Sequence, residues 1–214
     1  MTIKGCIFDL DGVVVDTAKY HYLAWKRLAN ELGFEFTEKD NERLKGVSRM
    51  KSLEILLEIG NMNFDEEIKE KLAEKKNNWY VEYISKMDES EILPGVKEFI
   101  TNLKKNGIKI ALGSVSKNAG IILENTNLKK YFDAIIDGNK VTKAKPDPEV
   151  FLKAAEELGL EPYECIVFED AVAGIEAAKN ANMRVIGVGS DEILKDSDKV
   201  ISGFEGIDLS ILEF

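Results

Sequence analysis

Histidine is nearly missing from this chain: His21 is the only one among 214 residues, and there are just two cysteines and four prolines. Cys6 and Cys165 each lie in an apolar, strand-like run, which reads as two buried reduced thiols and not as a disulfide or a metal pair. No run of 18 apolar residues occurs, so no membrane-spanning helix is expected, and "MTIKGCIFDL" lacks the pattern of a secretory signal. A cytoplasmic address is the expectation. Positive charge is also short, with 29 Lys and Arg against 39 Asp and Glu and a net charge of −10. That balance argues against nucleic acid as a partner, because counterion release needs clustered cations. It leaves a phosphate-bearing substrate open, since exposed charges are screened beyond about 8 Å and a few local cations outweigh a distant acidic surface. Ser-, Pro- or Gln-rich stretches and repeats are absent too. What remains, 44% hydrophobic and 32% charged residues, is an ordinary globular composition in a chain long enough for one substantial domain or for a domain carrying a smaller one.

Where the prolines are missing is informative. From Asp16 to about Glu89 there is none, and Gly33, Gly46 and Gly60 fall where helical patterns stop. Thr17 to Leu32 reads as a helix, and Ser48 and Asp65 stand as N-caps of two more. Residues 16–89 therefore read as an all-helical insert, a cap domain. On either side, residues 1–15 and 90–214 read as an α/β core. "IKGCIF" at 3–8, "IKIALG" at 108–113, "FDAIID", "CIVF" at 165–168 and "RVIGVG" at 184–189 are strand-like and alternate with helical patterns. Such alternation implies a Rossmann-like parallel sheet covered on both faces, with ligands at the carboxyl ends of its strands.

The residues at those ends carry the chemistry. Asp9 and Asp11 follow the first strand, Ser114 the second, Glu169 and Asp170 a later one, and Lys145 lies in the loop "KAKPDP". Four carboxylates gathered at one rim repel each other without a cation, so the pattern calls for a hard divalent ion with oxygen ligands, Mg²⁺. Magnesium shares substrate phosphates, which points to phosphoryl transfer. Side chains two apart on an extended segment point the same way, so one of Asp9 and Asp11 can attack phosphorus while the other moves a proton. Gly12 lets the backbone turn tightly beside the metal. Ser114, ahead of a helix expected to start at Ser116 or Lys117, can hold phosphate oxygens, and Lys145 can neutralise the charge that develops on them. Taken singly, Asp-x-Asp reads as a solvated loop, Lys145 as a surface lysine and Glu169-Asp170 as a helix-capping pair. Their order, each after a strand, joins them. A calcium loop and a P-loop are excluded by glycine placement and by the lack of Gly-Lys-Ser/Thr.

"DLDGVVVDT", "GS" at 113–114, "KPDP" and "FEDAVAGIEAAKNA" resemble, in order, the four motifs of the haloacid dehalogenase superfamily, and the resemblance spans essentially the whole chain. It implies Asp9 as nucleophile, Asp11 as general acid/base whose carbonyl also binds Mg²⁺, Asp170 with Glu169 close by at the metal, and a cap that closes over the core. "DTAKYHYLAWKRLA", "LKGVSR", "KKNNWY" and "SVSKN" are similar to the sugar-phosphate mutases of that superfamily. The similarity implies that Arg49, Ser116, Lys117 and Asn118 hold the phosphate that is not transferred, that Thr17, His21 and Lys76 couple closure to the placement of Asp11, and that Trp25, Leu44, Gly46, Val47 and Ser48 surround the sugar.

It further implies interconversion of β-glucose 1-phosphate and glucose 6-phosphate through an aspartyl-phosphate, with glucose 1,6-bisphosphate as intermediate and activator. The alternative is a phosphatase of the same superfamily. Spacing alone makes His21 a packed or half-exposed residue on the line Thr17, His21, Trp25, Leu28, Leu32, and makes Lys75 and Lys76 a solvated face. Two departures stand out: Ala171 where relatives often have serine, and Val115 where they have a small residue, whose backbone N–H contact survives the change. No long hydrophobic stripe is left over, so a monomer is expected.

Overall fold

The computed structural model describes residues 3–44 and 47–214. Among them six strands form one sheet: β1 (Gly5–Phe8), β2 (Lys109–Gly113), β3 (Ala134–Ile136), β4 (Cys165–Glu169), β5 (Arg184–Val188) and β6 (Lys199–Ile201). Every pairing is parallel, in the order β3-β2-β1-β4-β5-β6. Alternate residues therefore bury on opposite faces. Phe8, Ile110, Leu112 and Phe168 join a core closed by α5 (Val96–Lys105) and α6 (Ala119–Asn125), while Ile7, Ala111 and Val167 meet α7 (Glu149–Leu158) and α8 (Val172–Asn180). Phe8 and Phe168 stack at 4.7 Å across the first of these faces.

The expected α/β class with an all-helical insert is what the chain adopts. α1 (Ala18–Leu32), α2 (Glu38–Asn41), α3 (Arg49–Ile59) and α4 (Glu66–Ile84) lie between β1 and the rest of the sheet. Ser48 and Asp65 cap α3 and α4 by accepting from the backbone N–H groups of Lys51 and Ile68. The two chain crossings into the insert run side by side: Val15 bridges Ile92, Asp16 N–H donates to Glu91 O and Leu93 N–H to Val14 O. Gly95 has a φ of +79° and lies so close to Phe204 that a Cβ would come within 2.3 Å of that residue's carbonyl carbon, so only glycine fits.

Three details differ from expectation. β6 is an addition to the expected strands; it is three residues long and sits at the sheet edge, where burial leaves little hydrophobic signal. β4 runs one residue further than its apolar run, to Glu169, whose buried carboxylate is held by partners described below. α6 starts at Ala119 and not at Ser116 or Lys117, because the intervening polar groups form turns: Ser114 Oγ accepts from Ser116 N–H at 3.1 Å, Ser116 Oγ from Asn118 N–H at 3.3 Å, and Ser116 O from Gly138 N–H.

Candidate active site

The register of β1, β2 and β4 ends at one level, with Phe8 opposite both Leu112 and Phe168. Asp9, Ser114 and Glu169 consequently emerge together at the carboxyl rim, all three buried. Lys145 is buried among them. Its Nζ donates to Asp9 Oδ1 at 2.6 Å and to Glu169 Oε1 at 2.5 Å. Glu169 Oε2 accepts from the N–H groups of Asp170 and Ala171 at 2.7 and 3.1 Å. Ala171, the N-cap position of α8, makes no side-chain cap, and its own N–H is held by Glu169 Oε2.

One carboxylate oxygen from each of Asp9, Glu169 and Asp170 lies within 4.8 Å of the other two. Such an all-oxygen group suits a hard dication. The surrounding backbone is shaped for these carboxylates: Gly12, at φ +80°, leaves the space in which a Cβ would fall 2.2 Å from Asp170 Oδ2, and a Cβ on Gly174 would fall 1.7 Å from Glu169 Oε1. The residues present therefore fit Mg²⁺. Asp11 lines the same cavity outside this three-carboxylate group, its Oδ1 accepting a short hydrogen bond from the Thr17 hydroxyl. Asp11 N–H donates to Asp9 Oδ2 at 3.1 Å, which fixes the nucleophile candidate from its other side.

Burial pushes the Asp9 carboxyl up to about 7, against the pull of Lys145 and with help from Glu169 and Asp11. Burial also opposes the Lys145 charge, yet Asp9 and Glu169 outweigh it and hold the ammonium above the ordinary lysine range. Asp11 is likewise raised by burial, countered by the Thr17 hydroxyl.

On the cap side, His21 stacks on Tyr80 with centroids 4.0 Å apart, and its Nδ1 is 3.0 Å from Lys76 Nζ. Burial, then the charges of Lys76 and Arg49, keep its pKa well below the usual histidine value, so the ring is neutral. With Lys76 protonated it donates to Nδ1, which places the ring proton on Nε2, the atom 4.0 Å from Asp11 Oδ1. Lys76 is only 2% exposed and lies over the rings of Trp25 and Tyr80, while its neighbour Lys75 pairs with Glu31 on the outer surface. The expected solvated face thus holds for Lys75 and fails for Lys76. Burial and Arg49 lower Lys76 to about 7.

Core rim and cap together enclose a cavity of about 900 Å³, at the upper end of the size usual for small-molecule sites. Asp9, Asp11, Ser114, Lys145 and Asp170 line one part. Val115, Ser116, Lys117 and Asn118 line another, and Trp25, Leu44, Val47, Ser48, Arg49 and Lys76 form the cap wall with His21. Thr17 is fully buried behind Asp11, and Gly46 lies outside the described residues. Among the cavity residues given no role by the sequence, Asn77 and Ser52 make notable contacts. Asn77 Oδ1 accepts from Asn118 Nδ2 at 2.9 Å, joining cap to core, and Ser52 is buried with its hydroxyl on Leu44 O.

A parallel sheet with a lysine-bridged acid cluster at its carboxyl rim and a helical cap above it defines a class, and the chain belongs to the haloacid dehalogenase-like hydrolase family, whose sequence profile matches residues 3–182. Within that family it is 42% identical to the β-phosphoglucomutase of Bacillus subtilis strain 168 over 212 residues, covering 98% of this chain and 94% of that protein. The crystal structure of β-phosphoglucomutase from Clostridium difficile is similar at a TM-score of 0.93 and 44% identity, covering 99% of this chain and 96% of that one. A phosphorylated-carbohydrate phosphatase from Thermotoga maritima is 34% identical over 190 residues, 87% of this chain and 85% of the phosphatase.

Proposed function

We propose that the chain interconverts β-glucose 1-phosphate and glucose 6-phosphate, with Asp9 carrying the phosphoryl group and glucose 1,6-bisphosphate as the intermediate that turns over in the cleft. One observation carries most of the weight. Among the described residues no carboxylate pairs directly with Arg49 or Lys76, two cations in the cavity wall across from the acid cluster. Lys76 is buried and Arg49 half-buried, and burial disfavours both charges, so an anion on the substrate besides the phosphate at Asp9 would suit that wall. The similarity to two β-phosphoglucomutases over nearly the full chain supports the same reading.

In this reading an Asp9 oxygen forms a bond to phosphorus while the bond from phosphorus to the sugar oxygen breaks. Asp11 delivers its proton to that oxygen, and in the reverse direction takes it from the incoming hydroxyl. Lys145 and Ser114 hold the phosphoryl oxygens, with the N–H of Val115 beside them. Arg49, Ser116, Lys117 and Asn118 bind the second phosphate, and the sugar lies against Trp25, Leu44, Val47 and Ser48, next to Gly46. Asp9, Asp170 and the Asp11 carbonyl, with Glu169 adjacent, would hold Mg²⁺, which supplies charge neutralisation for the transferring group. Residues 16–89 move as the cap on 1–15 and 90–214. Closure excludes water from the acyl phosphate, and Thr17, His21 and Lys76 bring Asp11 into line as it happens. The protein acts as a cytoplasmic monomer on a small sugar phosphate, with neither nucleic acid nor membrane as partner.

A coupled assay with the α and β anomers of glucose 1-phosphate and a trace of bisphosphate tests the reading. Glucose 6-phosphate from the β anomer alone, lost on chelation of divalent cations and in Asp9→Asn, supports it. Free phosphate without the isomer would favour the phosphatase alternative, which the Thermotoga relative keeps in view.

A further inference from the structure

Tyr80 has a place in none of the roles above, yet it sits at their centre. It lies on α4, is 1% exposed, and its hydroxyl is the one buried side-chain polar atom without a hydrogen-bond partner among the described residues. An unpaired buried hydroxyl costs about 1–3 kcal/mol, so phenylalanine would be the more stable residue in this arrangement. The groups facing that hydroxyl are Asp11 and Thr17, with the Arg49 charge also acting on it. Its ring is packed as well, stacked on His21 at 25° between planes and with Lys76 Nζ 4.8 Å above.

We propose that Tyr80 is a positioning residue for Asp11, supplying the hydrogen bond that is exchanged when the Asp11 carboxyl swings from the hinge to the leaving oxygen of the substrate. The proposal rests on the assignment of Asp11 as proton donor made above. In the arrangement described, the Thr17 hydroxyl donates to Asp11 Oδ1. When Asp11 moves to the substrate, that buried hydroxyl loses its acceptor. Tyr80 Oη is the adjacent group able to accept from Thr17, and it can itself donate to the departing carboxylate, so the swing leaves no buried polar group unpaired. Its ring meanwhile holds the imidazole of His21 with Nε2 towards Asp11. The proton transfer served is balanced: the phosphorus–oxygen bond breaks, its electron pair stays on the sugar oxygen, the Asp11 proton joins that oxygen, and the Asp9 oxygen bonds to phosphorus.

Tyr80→Phe keeps the ring and removes only the hydroxyl. It is compared with the unaltered protein on an alkyl phosphate, β-glucose 1-phosphate, and on p-nitrophenyl phosphate, whose leaving group needs no proton. The expected result is a fall of roughly tenfold in the ratio of kcat for the sugar phosphate to kcat for the aryl phosphate, part of the range general acid catalysis supplies. KM for the sugar phosphate should stay within about twofold, and the melting temperature should be equal or higher, because the unpaired hydroxyl is gone. A ratio that does not change, whether both rates fall together or neither does, overturns the proposal and leaves Tyr80 as packing. If the unaltered protein releases phosphate from alkyl phosphates without making glucose 6-phosphate, the mutase reading fails, and the same ratio still decides the role of Tyr80.

Discussion

Asn77 of the cap helix α4 and Asn118 at the N-cap of α6 share a hydrogen bond of 2.9 Å across the cavity. Both are only partly buried, and neither is charged, so this contact joins cap to core without an ion pair. Asn77→Ala removes it and leaves the acid cluster untouched. A neutral hydrogen bond contributes about 0.5–1.5 kcal/mol, so the expected outcome is a rise of two- to tenfold in KM for the sugar phosphate, with kcat less affected. Steady-state kinetics checks it, and an unchanged KM would show that the contact does not favour the closed cap.

Gly174 is predicted to be intolerant of any side chain. A Cβ there overlaps Glu169 Oε1 and Cδ at 1.7 and 2.0 Å, and Glu169 cannot yield, since Lys145 and two backbone N–H groups hold it. Gly174→Ala should cost about 1–3 kcal/mol in urea denaturation and raise the Mg²⁺ concentration needed for half-maximal activity at least several-fold. Alanine is otherwise the better helix former, so a stabilised variant would contradict the packing described.

Lys76 gives the protein a pH dependence of known sign. Folding lowers its pKa from the ordinary 10.5 to about 7, because burial and Arg49 disfavour the charge. Between these values the unfolded chain holds a proton that the native chain has released, so the contribution of this residue to stability rises with pH from about 7 towards 10.5 and is flat below. A bound phosphate restores the charge, so sugar-phosphate affinity should weaken as pH rises above 7. Lys76→Met should lose both slopes in denaturation and binding measured from pH 6 to 10. If the affinity slope survives in that variant, another group is responsible.

The core site was legible in the sequence because β-strand registers turn residues 9, 114 and 169 into neighbours, and strand ends can be recognised from apolar runs. Lys145 could be assigned to that rim by its place between strands, though its bridging of Asp9 and Glu169 could not. The cap was legible as helices but not as chemistry. Lys75 and Lys76 are identical in local pattern, and only the packing of α4 on α1 sends one to Glu31 and the other beneath His21. Asn77 and Tyr80 lie in the stretch "KKNNWY" but carry no role by spacing, for the same reason: an asparagine in a helix and a tyrosine on its buried side are assigned only once the facing residues are known. The late start of α6 reflects side-chain hydroxyls competing for backbone donors, which a helical period does not register.

β1 lies in the middle of the sheet, paired on one side with residues 109–112 and on the other with residues 165–168. During synthesis the strand that leads into Asp9 has no neighbour until residues 109–112 have emerged, and only one until β4 follows. The cap helices, residues 18–84, are all synthesised before then. A product truncated before residue 165 lacks β4, Glu169 and Asp170 and should be inert towards phosphate esters.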